Sequence, residues 1–185
     1  ESPKEHGALT FTTPPMVENT EVVGPLVLNL HAATTDTDVL WFVTLFQVDD
    51  EGHERTLTRG WLRGSQRRLD PAKSKPWQPF QSHDRREPLT PGEVYEFNIP
   101  IVATGALLKA GYRLGIRIKA TDRDETPTDF IDNHAYGHLW RETTATITVH
   151  HSNRYPSALL VPVTRGNRIG TFMSGGVMPP LSGGH

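Results

Sequence analysis

Residues 89–120 constrain the fold more than any other stretch, because apolar side chains recur in them with a period of two. The alternation is carried in the first half by Tyr95, Phe97, Ile99 and Ile101, and in the second half by Leu114, Ile116 and Ile118. A period of two is typical of β-strands with one buried face. We therefore expect two strands joined by an apolar connector at 106–111. The cations of the second strand are expected to face outward: Arg113, Arg117 and Lys119.

The same kind of pattern predicts strands along most of the chain. They are expected at 8–13, 21–24, 26–32, 39–48, 55–63, 143–150 and 159–163. The segment 39–48 is apolar on both faces, which predicts a central strand covered on both sides. Gly24 and Pro25 predict a turn, Gly60 predicts a bulge, and Pro100 predicts an edge or a bulge near the end of its strand.

No segment shows sustained helical periodicity, and 16 Gly and 15 Pro are spread between the apolar runs. The expected fold is therefore all-β, a jelly-roll β-sandwich. A length of 185 residues suits one such domain, which we place at residues 1–165, followed by a Gly-rich C-terminal tail at 166–185. The chain opens almost directly on a strand pattern, so we expect the domain to have been cut from a longer protein.

The segment 66–88 interrupts the strand pattern with a long polar loop that contains four prolines. Loops of this length in a compact domain are usually functional, or they lie against a partner. Trp77 and Phe80 stand in the middle of this loop. Two aromatic side chains in polar surroundings are expected to bury against a surface, either that of this domain or that of another.

Composition narrows the classes of partner. Lys and Arg number 19 and Asp and Glu number 21, a formal net charge of −2, so no basic field favours nucleic acid or an anionic membrane. The longest apolar run is too short to span a bilayer. The absence of cysteine excludes a disulfide framework, a Cys nucleophile and a Cys-ligated zinc.

No catalytic residue is predicted. An α/β-hydrolase nucleophile needs the G-x-S-x-G turn, and the sequence contains none. Ser174 lies in the Gly-rich tail and lacks the leading glycine of that motif. Asp36 and Asp38 form an acidic pair, but at the entry to a strand the expected role of such residues is to accept backbone hydrogen bonds.

No metal or other cofactor site is predicted either, although two segments leave the question open. His134 and His138 have a spacing that suits a helix, but Gly137 between them disfavours one. The loop 122–132 carries five carboxylates without the spacing of an EF-hand, which favours a solvated acidic loop over a calcium site. His150 and His151 are adjacent in a strand, so their side chains point to opposite faces.

The aromatic residues suggest a second function. Trp41, Trp61, Trp77, Tyr95 and Trp140 are candidates for a sugar-binding platform, since jelly-roll domains often bind carbohydrate. Trp41 and Trp61 lie in strand patterns and are expected in the core. A free-standing carbohydrate-binding module is thus the alternative function.

An ordered series of motifs resembles one family. The pieces are LTFTTPP (9–15), EVVGPLVLNL (21–30), TDTD (35–38), the turn DDEG (49–52), RGWLRGSQR (59–67), LTPGEVYEFNIPI (89–101), LLKAGYRLGIRI (107–118) and YPSALLVPV (155–163). They are similar to the C-terminal non-catalytic domain of X-prolyl dipeptidyl-peptidases and cocaine esterases, the peptidase S15-like group of α/β-hydrolase acyl esterases. The segment 121–142 and the tail depart from that pattern.

The resemblance implies a jelly roll similar to galactose-binding domains, packed against the α/β-hydrolase catalytic domain of the same polypeptide. In that family the Ser–Asp–His triad lies wholly in the other domain, so no catalytic residue carries over to this chain. The implied role is that of an accessory domain that holds the hydrolase together and helps shape its substrate cleft. Whether the protein forms oligomers stays open.

Overall fold

The computed structural model describes residues 7–120 and 144–164. In these ranges the chain forms nine β-strands and a single 3-10 turn. The strands are β1 (Leu9–Thr12), β2 (Thr20–Thr34), β3 (Leu40–Val48), β4 (Glu54–Arg63), β5 (Tyr95–Leu108), β6 (Arg113–Lys119), β7 (Ile147–His150), β8 (Ala158–Leu160) and β9 (Val163–Thr164). The 3-10 turn, Gly64–Gln66, follows β4 directly. The all-β prediction is confirmed.

The strands form one antiparallel sheet in the order β1-β6-β3-β4-β5-β2-β7, and β8 and β9 also pair with β2. The join between β4 and β5 is narrow, since Gly60 and Ile101 form its one backbone pair. The sheet curls at this join into two layers, β1-β6-β3-β4 and β5-β2-β7. Their inner faces share a single apolar core, in which Trp41 of the first layer meets Phe97 of the second with ring centroids 5.3 Å apart.

The core follows from the period-two pattern. Leu114, Ile116 and Ile118 are buried as expected, and so are Phe97, Ile99 and Ile101. The prediction of a central strand is also confirmed, because β3 is paired by β4 on one side and by β6 on the other. Of the three cations expected to face outward, Arg113 is exposed, while Arg117 and Lys119 are half-buried. Arg117 pairs with Glu54 at 2.7 Å.

The expected connector at 106–111 is wrong in part. Strand β5 continues to Leu108, because Leu107 and Leu108 pair with the start of β2, and the turn occupies only the residues that follow. Pro100 consequently lies inside β5 rather than near its end. Asn98 and Val102 lie two residues before and two residues after Pro100, and their carbonyls point to the β4 side of the strand. The Asn98 carbonyl accepts from Gln81 Nε2, and the Val102 carbonyl accepts from Thr58 Oγ1. By strand parity the missing N–H of Pro100 faces that sparsely paired side.

Two predicted backbone irregularities, the turn at Gly24-Pro25 and the bulge at Gly60, are also wrong. Gly24 and Pro25 do not form a turn but a register shift inside the continuous strand β2, where Gly24 has a φ of +126°. The bulge in β4 does not lie at Gly60 but opposite Leu45 and Phe46, where the pairing of β3 with β4 shifts register. Gly60 instead serves the close approach of β4 to β5 described above.

Candidate interdomain surface

After the 3-10 turn the chain forms a short two-stranded excursion, residues 69–81, which we call the aromatic hairpin. Its base is an isolated bridge between Leu69 and Gln81. Near its tip Lys75 and Gln78 exchange two backbone hydrogen bonds of 3.0 and 2.9 Å. Pro76 and Trp77 are therefore the two residues of the tip.

Side chains inside the hairpin hold its shape. Asp70 Oδ1 accepts hydrogen bonds from the amides of Ala72 (2.9 Å) and Lys73 (3.3 Å). Ser74 Oγ accepts from the Phe80 amide at 3.0 Å and donates to the Phe80 carbonyl at 3.2 Å. The Asp70 amide donates to the same carbonyl at 2.8 Å. The loop is thus held together by hydrogen bonds among its own residues.

The hairpin presents its aromatic side chains to solvent. Trp77 is 56% exposed and Phe80 is 48% exposed. The Lys73 ammonium lies 4.9 Å from the Phe80 ring centroid, in cation–π range. Of the two surfaces expected to cover these rings, that of this domain leaves both about half exposed, and the surface of another domain is the alternative that stays open. Exposed aromatic residues held on an ordered scaffold are typical of contact sites.

The hairpin is tied to the end of the sandwich. Gln81 is 7% exposed and donates from Nε2 to the Asn98 carbonyl of β5 at 3.0 Å. Arg67 lies over the Tyr95 ring, with its guanidinium carbon 4.4 Å from the centroid. Its Nη1 donates to the Gly64 carbonyl at 3.2 Å and also to the Glu87 carbonyl. These contacts tie the base of the hairpin and the residues before it to β5 and to the end of the loop at Glu87.

Asp38 is a structural carboxylate. Its Oδ2 accepts from Arg63 Nε at 2.7 Å and from Ser65 Oγ at 2.8 Å, and its Oδ1 accepts from the amides of Ser65 (2.8 Å) and Val39 (2.9 Å). Burial opposes ionisation of Asp38, but these hydrogen bonds outweigh it and hold the pKa below its ordinary value of 3.8. A carboxylate so fully bonded joins the start of β3 to the 3-10 turn and is unsuited to proton transfer.

Asp36 also accepts a backbone hydrogen bond, as expected of an aspartate at the entry to a strand. Its Oδ1 accepts from the Thr37 amide at 2.6 Å. Asp36 and Asp38 thus both accept hydrogen bonds from backbone amides at the entry to β3, as expected of such residues.

The aromatic residues considered for a sugar-binding platform differ in their exposure to solvent. Trp41 is 2% exposed and lies in the core as expected. Trp61 is 50% exposed, so its expected place in the core is wrong. The reason is strand alternation, because Leu62 takes the inward position of β4 and leaves Trp61 on the outer face. Tyr95 is half-buried under Arg67. Trp140 lies outside the described residues.

No group of three His, Asp or Glu side chains is placed to hold a metal ion in residues 7–120 and 144–164. His150 ends β7, and its ring lies 5.2 Å from that of Tyr155. The other candidates, the loop 122–132 with His134 and His138, and Ser174 of the tail, fall outside the residues that the structure describes. In those same ranges no helix is long and apolar enough to cross a membrane.

Sequence reasoning found Trp77 and Phe80 but missed the scaffold beneath them. The signal was available in Asp70-Pro71, since Asp at the first and Pro at the second position favour a type I turn. Gln81 could not have been found in this way. Its partner on β5 is 17 residues away and is a backbone carbonyl, which carries no sequence signature.

Comparison with known proteins agrees with this architecture. The model of the X-Pro dipeptidyl-peptidase C-terminal non-catalytic domain matches residues 1–160. Two proteins with provisional serine-esterase names, from Mycobacterium bovis and Mycobacterium tuberculosis, are 34% identical over 119 residues. Each match covers 62% of this chain but 19% of the relative, so the chain corresponds to a minor part of those proteins.

Solved structures show the same fold. A CocE/NonD family hydrolase from Staphylococcus aureus superposes with a TM-score of 0.74 at 24% identity, over 85% of this chain and 30% of that one. An aminopeptidase from a marine-sediment Thaumarchaeota archaeon gives 0.64 at 22% identity, over 89% and 27%. An α-amino acid ester hydrolase gives 0.62 at 22% identity, over 85% and 25%. By fold and by sequence, this chain belongs to the family of C-terminal non-catalytic domains of X-Pro dipeptidyl-peptidases.

Proposed function

We propose that this chain is the accessory domain of a serine hydrolase, that it packs on the catalytic domain of the same polypeptide, and that it helps shape the substrate cleft. The functional domain is residues 1–165, and the Gly-rich tail follows it. The parent enzyme would be an X-Pro dipeptidyl-peptidase or an acyl esterase, the two activities that the family and its named relatives suggest. A likeness to galactose-binding domains belongs to the same proposal.

The observation that carries the proposal is the aromatic hairpin. Trp77 and Phe80 are both about half exposed on a loop whose backbone is held by its own hydrogen bonds. A surface that is already shaped before binding loses little conformational entropy when a partner covers it. The relatives extend far beyond the matched region, which supports a partner within the same polypeptide.

A carbohydrate-binding module is less well supported. A sugar site combines an aromatic platform with polar groups that remain free to bind hydroxyls. Here Asp70 and Ser74, the polar side chains that hold the hairpin, are occupied by bonds within it. Affinity electrophoresis on soluble polysaccharides is expected to show no retardation of the chain, and clear retardation that is lost in Trp77→Ala would favour the carbohydrate function.

The non-catalytic part of the proposal is tested on the purified chain. It should hydrolyse neither p-nitrophenyl acetate nor an X-Pro p-nitroanilide above the buffer rate. The full-length polypeptide should hydrolyse at least one of them and should lose this activity on serine modification. Serine-dependent turnover by the chain alone would contradict the proposal.

The docking part is tested by a double variant, Trp77→Ala with Phe80→Ala, in the full-length polypeptide. If the hairpin packs beside the cleft, KM should rise by about tenfold, the effect of losing a buried aromatic anchor. Val17→Ala is the matched control, because Val17 is an apolar residue that is 96% exposed and lies before β2, away from the hairpin. Equal KM values for the double variant and the control would show that the hairpin does not lie beside the cleft.

A further inference from the structure

The hairpin and its flanks carry a charge opposite to that of the chain. Residues 67–87 contain six Lys or Arg and three Asp or Glu, while the whole chain has a formal net charge of −2. The aromatic hairpin therefore lies within a locally basic surface on a weakly acidic protein. Ion pairs within the domain neutralise part of this positive charge.

The carboxylates of this region are all engaged. Asp70 accepts two backbone amides and lies 3.3 Å from Lys73 Nζ. Asp84 accepts from Arg68 Nη1 at 2.9 Å and from Ser82. Local acidic groups are thus used up by local donors.

Glu87 is shared among several arginines. Its Oε1 lies 3.0 Å from Arg85 Nη2 and 3.9 Å from Arg68 Nε, and its Oε2 lies 3.9 Å from Arg67 Nη2. One carboxylate that serves three guanidinium groups leaves the cluster with excess positive charge.

Of the six cations in residues 67–87, two have no carboxylate within 4 Å among the described residues: Lys75 beside the hairpin tip, and Arg86 at its flank. Lys75 is next to Pro76 and Trp77 in sequence and is exposed. The charge left over at the aromatic tip is positive. Unsatisfied surface charge beside an apolar patch sets the sign of the surface that can dock there.

We propose that the aromatic hairpin docks onto an apolar surface rimmed by Asp and Glu on the hydrolase part of the same polypeptide. This inference rests on the proposed function and adds to it the chemistry of the partner surface. Trp77 and Phe80 fill the apolar centre, and Lys75 beside them meets the acidic rim. Pairing of two copies through this same surface is disfavoured, because it would bring like charges together.

A zero-length carbodiimide crosslinker tests the inference on the full-length polypeptide, since it joins a lysine amine only to a carboxylate in direct contact. The chain has five lysines, two of which are in the hairpin. We expect amide links from Lys75 to Asp or Glu of the hydrolase part, with several-fold lower yield at 0.5 M NaCl, whereas Lys73 already lies 3.3 Å from Asp70 of its own hairpin. Lys109, in the turn after β5, is the internal control and should form no such link.

A second reagent distinguishes failure of the acidic rim from failure of the docking itself. It is an amine-directed photoreactive crosslinker that inserts into any neighbouring bond. Photolinks from the hairpin to the hydrolase part without carbodiimide links would overturn the acidic rim and leave the docking intact. Absence of both kinds of link would overturn the hairpin docking as well. Links between hairpins of two copies would overturn the inference in favour of self-association.

Discussion

Gly60 of β4 and Ile101 of β5 form the one backbone pair that joins the two layers of the sandwich in the described residues. A Cβ atom on Gly60 would run into the Pro100 carbonyl oxygen and would lie 2.9 Å from the Ile101 Cα. Both are backbone atoms, so a side-chain rotation cannot relieve the contact. We therefore expect the close approach of β4 to β5, where the sheet curls, to require a glycine at this position.

Gly60→Ala is expected to lower the free energy of unfolding by about 1–3 kcal/mol, the usual cost of inserting a methyl group into a packed site. The measurement is a urea titration followed by tryptophan fluorescence. Gly7→Ala is the control, because no atom lies within 4 Å of a Cβ placed there. Identical unfolding midpoints for the two variants would show that the junction tolerates a side chain.

Asp38→Asn is expected to cost about 2–3 kcal/mol of stability. The substitution removes the charge that pairs with Arg63, whose side chain is 26% exposed, and solvent at Arg63 reduces the penalty below that of a fully buried pair. Thermal unfolding of the variant measures the effect. Asp50→Asn, at an exposed turn position, should change the free energy of unfolding by less than about 0.5 kcal/mol.

The difference in stability between the wild type and Asp38→Asn is expected to depend on pH. The folded-state pKa of Asp38 lies below its ordinary value of 3.8. The contribution of ionised Asp38 to the free energy of unfolding is therefore complete above the unfolded-state pKa. It is lost as the pH falls through the lower folded-state pKa. The stability difference between the wild type and Asp38→Asn should stay constant from pH 7 to about pH 5 and shrink below pH 4. A difference that persists unchanged at pH 2 would exclude this ionisation as its source.

Arg67→Lys is expected to loosen the loop that carries the hairpin. Lysine keeps the charge but cannot cover the Tyr95 ring with a planar group while donating to two carbonyls, as Arg67 does. Trypsin should then cleave several-fold faster after Arg85 and Arg86. The same rate in Arg67→Lys and in the control Arg55→Lys, on β4 at the far end from the hairpin, would show that Arg67 does not hold the loop.

The fold could be predicted largely because inward and outward residues alternate so regularly. Leu114, Ile116 and Ile118 follow a period of two without interruption, and all three are buried. The errors arose where a local signal competed with pairing. Gly24-Pro25 is a turn signal in isolation, but the partner strand β5 extends past it and converts it into a register shift.

The candidate surface could be predicted in part. Trp77 and Phe80 stood out as aromatic residues in a polar loop, and both are exposed on the hairpin. Trp61 was assigned to the core because it lies in a strand pattern, yet pattern alone does not say which of two adjacent apolar residues faces inward. That choice is made by the partner strands, since Trp61 pairs with Phe42 and Leu62 pairs with the buried Trp41.

The most direct test of the account is hydroxyl-radical footprinting of Trp77 and Phe80 in the chain alone and in the full-length polypeptide. The oxidation rate of both side chains should fall several-fold in the full-length polypeptide, while that of Met16, in the loop between β1 and β2, should stay the same. Equal oxidation of Trp77 and Phe80 in the two proteins would contradict the claim that the hairpin is an interdomain contact.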